Sequence, residues 1–331
     1  MTYAWPPRAA TGVGSLPGTD PTEAARTVAG ELPALPHLPE LPQRGPGADM
    51  LGRAAALLAD LHVDLQPSGW RFVPRSGVDE RRALDFLAWD LDALQVAFDG
   101  YAGPLKIQCA GPWTLAAGIE LHRGDRALSD AGAVRDIAAA LAEGLARHVA
   151  DVRRRVPGAT VVAQLDEPSL TAVARGRIRT ASGFGALREV GAYELVEGLR
   201  AALPAGVPTG VHSCAADVPL DLLVKVKPAF VSVDLALLST RQYDALGQLV
   251  DDGVHLLLGA VPTTGDLRSV RETAAPVRTL WRNLSHPPEM LAQRVTVTPA
   301  CGLAGLSPDA ARAALTRARE VAAALAEEDE R

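Results

Sequence analysis

The sequence predicts an α/β protein folded as a TIM-type (β/α)8 barrel, and three observations carry that prediction. Short apolar runs alternate with longer Ala-, Leu- and Arg-rich stretches, the pattern of strand and helix around a parallel sheet. The alternation recurs about eight times over 331 residues, a length that one barrel domain spanning 1–331 commonly fills. No G-x-G-x-x-G or phosphate-binding glycine loop opens any helical stretch, which disfavours the alternative, an open doubly wound sheet.

The first strand is expected at "ATGVGSLP" (10–17) and an ill-defined second one near 60–75. Between them "ELPALPHLPELPQRGPGAD" (31–49) is rich in proline. Proline cannot donate to a ladder, so this stretch reads as a long ordered loop beside the active face rather than a strand. Clear strands follow at "PLKIQCAG" (104–111), "TVVAQLDEP" (160–168), "PTGVHSC" (208–214), "AFVSVDL" (229–235), "HLLLGAVP" (255–262) and "RVTVTPACG" (294–302). Each precedes a helical stretch, several of which open on Ser, Asp or Thr cap candidates.

Composition narrows the function. A formal charge of −6, scattered basic residues and 4% aromatics give no footprint for nucleic acid. No apolar run reaches the roughly 18 residues of a membrane span, and the opening residues carry no basic-then-apolar leader. A cytoplasmic location is therefore expected. Three widely spaced cysteines, Cys109, Cys214 and Cys301, suit reduced thiols better than a disulfide framework.

In a barrel, chemistry gathers where strands end. His212 and Cys214 end one strand, Asp234 the next and Cys301 the last. Residues two apart on a strand share a face, so His212 and Cys214 both reach the mouth. Two thiols, an imidazole and a carboxylate make a sensible zinc set. Asp166 and Glu167 also end a strand and are expected to act as an acid/base pair; the bland alternative is that one of them caps the following turn while the other pairs with an arginine. The amides of "GVGSLPG" suit an anion, Trp113 is a candidate pocket wall or core residue, and Glu40 or Asp49 is a candidate carboxylate for a substrate amine. Cys109 and the remaining histidines read as core or surface, although His37 lies in the Pro-rich stretch near the expected site.

Five motifs, "GVGSLP" (12–17), "AGPWTLA" (110–116), "QLDEPSL" (164–170), "HSC" (212–214) and "PACGL" (299–303), run in the order of a known family. The chain resembles the C-terminal catalytic barrel of cobalamin-independent methionine synthase, in the superfamily that also holds uroporphyrinogen decarboxylase. That resemblance implies zinc on His212, Cys214, Cys301 and Asp234, the last where the family usually has glutamate. It implies that Gly14 and Ser15 contact the amino-acid part of a homocysteine-like thiol and that Asp166 holds its amino group. The implied reaction is methyl transfer to that thiol, from a methyl-folate or a methyl-corrinoid donor. Two departures stand out. The family's second, folate-binding half is not in this sequence, and no histidine lies between His255 and His286, where the family places one for proton transfer. A barrel that binds metal and thiol without turnover, and a metal-independent decarboxylase, are the competing functions. The decarboxylase needs an Arg-lined pocket, and "TGVGSLPG" has no arginine.

Overall fold

A computed structural model describes residues 5–327. Its centre is a curled six-stranded parallel sheet in the order β3-β4-β5-β6-β7-β8. The strands are β3 (Gly103–Ala110), β4 (Ala159–Asp166), β5 (Thr209–Ser213), β6 (Phe230–Asp234), β7 (His255–Val261) and β8 (Val295–Pro299). All six lie where the apolar runs predict. Parallel strands are covered on both faces, so their sequences are nearly continuously apolar and stand out. The connecting helices include Ala131–Arg155, Ala192–Ala201, Leu220–Val226, Tyr243–Asp251, Val270–Asn283 and Pro308–Glu327. Asp130 caps the first of these through Gly132 and Ala133 N–H, and Ser269 with Glu272 forms a capping box on Val270–Asn283.

Both edges of the sheet are bonded onward. Thr11 N–H donates to Val297 and Val297 N–H to Ala9; Glu40 N–H donates to Gly14 and Leu16 N–H to Glu40; Lys106 N–H donates to Pro36 and Leu38 N–H to Lys106. The Pro-rich stretch is irregular over most of its length, but its residues 36–40 therefore bridge the first segment to β3, where a loop was expected. This ladder uses the Pro36 carbonyl and the N–H groups of Leu38 and Glu40, so it asks nothing of the missing N–H groups of Pro36 and Pro39.

The expected second strand near 60–75 is corrected. Residues there form an antiparallel hairpin, β1 (His62–Gln66) with β2 (Gly69–Val73), outside the parallel sheet. Its alternating pattern, with Val63 and Trp70 buried between polar neighbours, is that of a ribbon covered on one face.

Two apolar clusters result. The large one lies between sheet and helices. The small one, Val162, Phe230 and Leu257 with Trp5 against it, fills one end of the curl's interior, where Trp5 stacks on His255 at 4.3 Å. From there towards the C-terminal strand ends the interior turns polar: Lys106, Gln108, Gln164, Asp166, His212, Ser232 and Thr298 are all buried. Among the described residues no helix is long and apolar enough to cross a membrane.

Candidate active site

The register of the ladder brings the site together. Ala110 pairs with Asp166, Asp166 with His212 and His212 with Ser232, so these residues of four strands share one level, with the pair Gln108 and Gln164 two residues earlier on the same face. His212 is buried, and its Nδ1 sits 2.9 Å from Ser232 Oγ. Burial, reinforced by the charge of Lys106, holds its pKa down at about 3, so the ring is neutral around pH 7.

Cys214 and Cys301, 87 residues apart, place their sulfurs 3.2 Å from each other. The shared hydrogen bond lowers the pKa of Cys301 and raises that of Cys214, so the pair favours a single thiolate hydrogen-bonded by the other thiol. Asp234 ends β6 but spends one oxygen on Ala236 N–H at 2.9 Å, capping the short turn Leu235–Leu237; partial burial raises its pKa. Ser15 reaches the same mouth. Its carbonyl accepts Leu303 N–H at 2.9 Å, and a Cβ on Gly302 would lie 2.1 Å from its hydroxyl, so "GVGSLP" and "PACGL" touch. Gly14 is required for a similar reason, since a Cβ there would come within 2.8 Å of the Gln108 side chain.

Asp166 points into the interior and accepts from Gln164 Nε2 at 2.7 Å. Burial, and then repulsion from Glu40, raise its pKa well above the carboxylate range. Glu40 is its counterpart: buried, at 3.1 Å from Gln108 Nε2 and 3.6 Å from Arg53 Nε, with its pKa also raised by burial. The other amine-binding candidate, Asp49, is occupied elsewhere, accepting from Gly47, Leu51 and Gly52 N–H and from Trp70 Nε1. His37 lies beside Lys106 in the ladder, 1% exposed, with neither ring nitrogen hydrogen-bonded to a described residue.

Two expectations are revised. Glu167 is not aimed at the site. Adjacent strand residues face opposite ways, and Glu167, 0% exposed, accepts from Trp113 N–H at 2.9 Å, Thr114 N–H at 2.8 Å and Thr114 Oγ at 2.6 Å. It holds the N-terminus of the helix Pro112–Gly118, on the neighbouring strand's connection rather than the turn that follows Glu167 itself. Trp113 turns outward as well. Its Nε1 donates to the Leu195 carbonyl at 3.1 Å, and it borders a cleft of about 930 Å³ between Ala131–Arg155 and Ala192–Ala201, whose walls include none of the strand-end residues.

Sequence reasoning missed Lys106, Gln108, Gln164 and Ser232. The one signal was a lysine and a glutamine inside an apolar strand, "PLKIQCA", at the spacing that puts both on one face.

The donors suit zinc in kind. There are two thiols in contact and an imidazole whose Nδ1 is tied to Ser232, which leaves Nε2 for a metal, the usual arrangement around a ligating histidine. Among the described residues, however, no three His, Cys, Asp or Glu side chains are drawn together closely enough to hold an ion; His212 and Asp234 stand off from the thiol pair.

A family model described as "Cobalamin-independent synthase, Catalytic domain" matches residues 103–324. The chain belongs to this family. The match takes in β3 to β8, and so Asp166, His212, Cys214, Asp234 and Cys301, whereas Gly14, Ser15 and Glu40 precede it. The fold of that earlier part is nevertheless shared. A B12-independent methionine synthase from Shewanella sp. W3-18-1, solved in complex with selenomethionine, superposes with a TM-score of 0.64 at 14% identity, covering 97% of this chain and 98% of that one. Comparison with curated proteins gives no match. Membership of the synthase family weighs against the decarboxylase reading, as does the absence of arginine from the first segment.

Proposed function

We propose that this chain is a methyltransferase acting on the thiol of homocysteine or a closely related amino-thiol, with zinc held by His212, Cys214, Cys301 and Asp234. We further propose that the bridged edges close the sheet into a single (β/α)8 barrel with the site at its C-terminal mouth. The meeting of Cys214 with Cys301 at the strand-end mouth that also holds His212 and two buried carboxylates, Asp166 and Glu40, carries the reading.

Zinc, when bound, supplies positive charge that keeps a substrate sulfur deprotonated at neutral pH. The protein's own groups do the remaining work. Ser232 fixes the His212 ring through Nδ1. Asp166 and Glu40, both pushed towards protonation by burial, and Asp166 by Glu40 as well, favour a nearby cation and so suit a substrate ammonium. Ser15 and Gly14, packed on Gly302 and Gln108, bring backbone amides to the same pocket for a carboxylate. The donor is a methyl-folate or a methyl-corrinoid.

The loop after β7, with Thr263 and Thr264 but no histidine, favours a second reading in which metal and thiol bind without turnover. Metal analysis separates these. The purified protein is expected to carry about one zinc per chain, lost on Cys301→Ser; reduced protein that takes up no zinc overturns both readings. Zinc and thiol binding without methyl transfer from folate, corrinoid or sulfonium donors leaves only the second.

A further inference from the structure

Lys106 is a costly residue to bury. It is 0% exposed on β3, and no carboxylate among the described residues lies within ion-pair distance of its Nζ. An ammonium taken out of water without a paired anion is strongly disfavoured, and an apolar side chain of similar shape would spare the fold that cost. Something other than stability has to explain it.

Its hydrogen bonds point to the explanation. Nζ donates to the Val13 carbonyl at 2.8 Å and to Gln108 Oε1 at 3.2 Å. An ammonium only donates and a carboxylate only accepts, so the sense of the Gln108 amide is fixed: Oε1 faces the lysine, and Nε2 faces Glu40 Oε1 at 3.1 Å and the Leu38 carbonyl at 2.6 Å. The Val13 carbonyl is shared. Gln164 Nε2 also donates to it, at 3.0 Å, and passes its other hydrogen to Asp166 Oδ1 at 2.7 Å. Both of its partners being acceptors, Gln164 must keep this sense too, and its Oε1 is left buried without a partner. One ammonium thus stands at the root of two amide arms, each ending on one of the two carboxylates, and it anchors the carbonyl that precedes Gly14 and Ser15.

We infer that Lys106 is a positioning residue for the substrate's amino group: through Gln108, Val13 and Gln164 it orients Glu40 and Asp166, and its charge keeps the pair from being neutralised before a substrate ammonium arrives. The groups facing it are Asp166 from β4, Glu40 and His37 from residues 36–40, and His212 from β5, with Arg53 behind Glu40. Remove the lysine and Gln108 Oε1 and the Val13 carbonyl lose the donor they share, so the two amide arms lose their common anchor. The arrangement would therefore select amino-thiols over thiols that lack the amine. This rests on the amine-binding role proposed for Asp166 and Glu40, and the test separates the two.

Calorimetric binding of L-homocysteine and of 4-mercaptobutanoate, the same thiol acid without its amine, would be compared on zinc-loaded wild type and Lys106→Met. The wild type is expected to prefer homocysteine. Lys106→Met is expected to lose about tenfold or more of that preference, most of it in homocysteine binding, with zinc content unchanged. Absence of a preference in the wild type refutes the amine-binding carboxylates and the role of Lys106 with them. A preference kept by Lys106→Met, or an equal loss for both ligands, overturns the role of Lys106 alone. Should Lys106→Met not fold, Gln108→Met is read by the same ratio. It keeps Lys106 on the Val13 carbonyl but cuts its link to Glu40, and an unchanged preference there overturns the proposal.

Discussion

Replacing Glu167 tests whether the Asp-Glu pair is one catalytic unit or two residues with separate tasks. In Glu167→Ala the helix Pro112–Gly118 loses the acceptor of three bonds, from Trp113 N–H, Thr114 N–H and Thr114 Oγ. All three donors are buried, and each left unsatisfied costs about 1–3 kcal/mol, so the variant should lose about 3–9 kcal/mol, a large part of a typical total stability. That corresponds to a fall in Tm on the order of 10 °C. Glu167→Gln keeps one acceptor and should lose less. The comparison also has a pH signature. Burial raises the Glu167 pKa to about 7, so its folded-state pKa lies above the unfolded value. Its contribution to stability is then fully present below the unfolded pKa and declines as pH rises through about 7. The stability gap between wild type and Glu167→Gln is therefore expected to narrow between pH 5 and pH 8. Urea unfolding at both pH values, with methyl transfer measured at a temperature where each variant is folded, checks this. A Glu167→Gln protein as stable as wild type but with turnover lowered by more than about a hundredfold would refute the scaffold role and restore Glu167 to the chemistry.

Other substitutions read different parts of the structure. Ser232→Ala removes the partner of His212 Nδ1 and should weaken zinc binding by about 10–100-fold in a chelator competition with little change in Tm; unchanged affinity would mean that Nδ1 is not what orients the ring. Asp90→Asn removes the charge that Arg44 and Arg53 share and should cost about 3–5 kcal/mol in denaturant unfolding, because Arg44 is left without that counter-ion and Arg53 keeps only Glu40. Gly198→Ala sets a Cβ 2.5 Å from the Trp113 ring and should cost about 1–3 kcal/mol by overpacking while leaving zinc content intact; loss of zinc instead would place Trp113 at the site after all.

The strand-end residues differ in how readily they could be read from the sequence. His212 and Cys214 were legible because a strand alternates and the two lie two residues apart. The same parity, applied to neighbours, separates Asp166 from Glu167, one facing the interior and the other a helix N-terminus. The acidic doublet looked like a functional pair only while its two faces were not distinguished. Ser232 and Gln164 gave no signal, since a serine or glutamine in a strand acquires meaning only from the partner its register supplies.

By itself the sequence determined the positions of the six parallel strands and their helices, since a strand buried on both faces must be written in apolar residues. It also determined the strand-end positions of the two thiols and the imidazole. Only the tertiary structure decided that residues 36–40 of a Pro-rich stretch pair with β3, that the alternating segment at 62–73 stays outside the sheet, and that Lys106, Gln108, Gln164, Glu40 and Asp166 form one buried network. The physical reason is that ladder register, not local preference, selects which side chains share a level of the interior. A lysine in an apolar strand has no legible role until the fold closes around it.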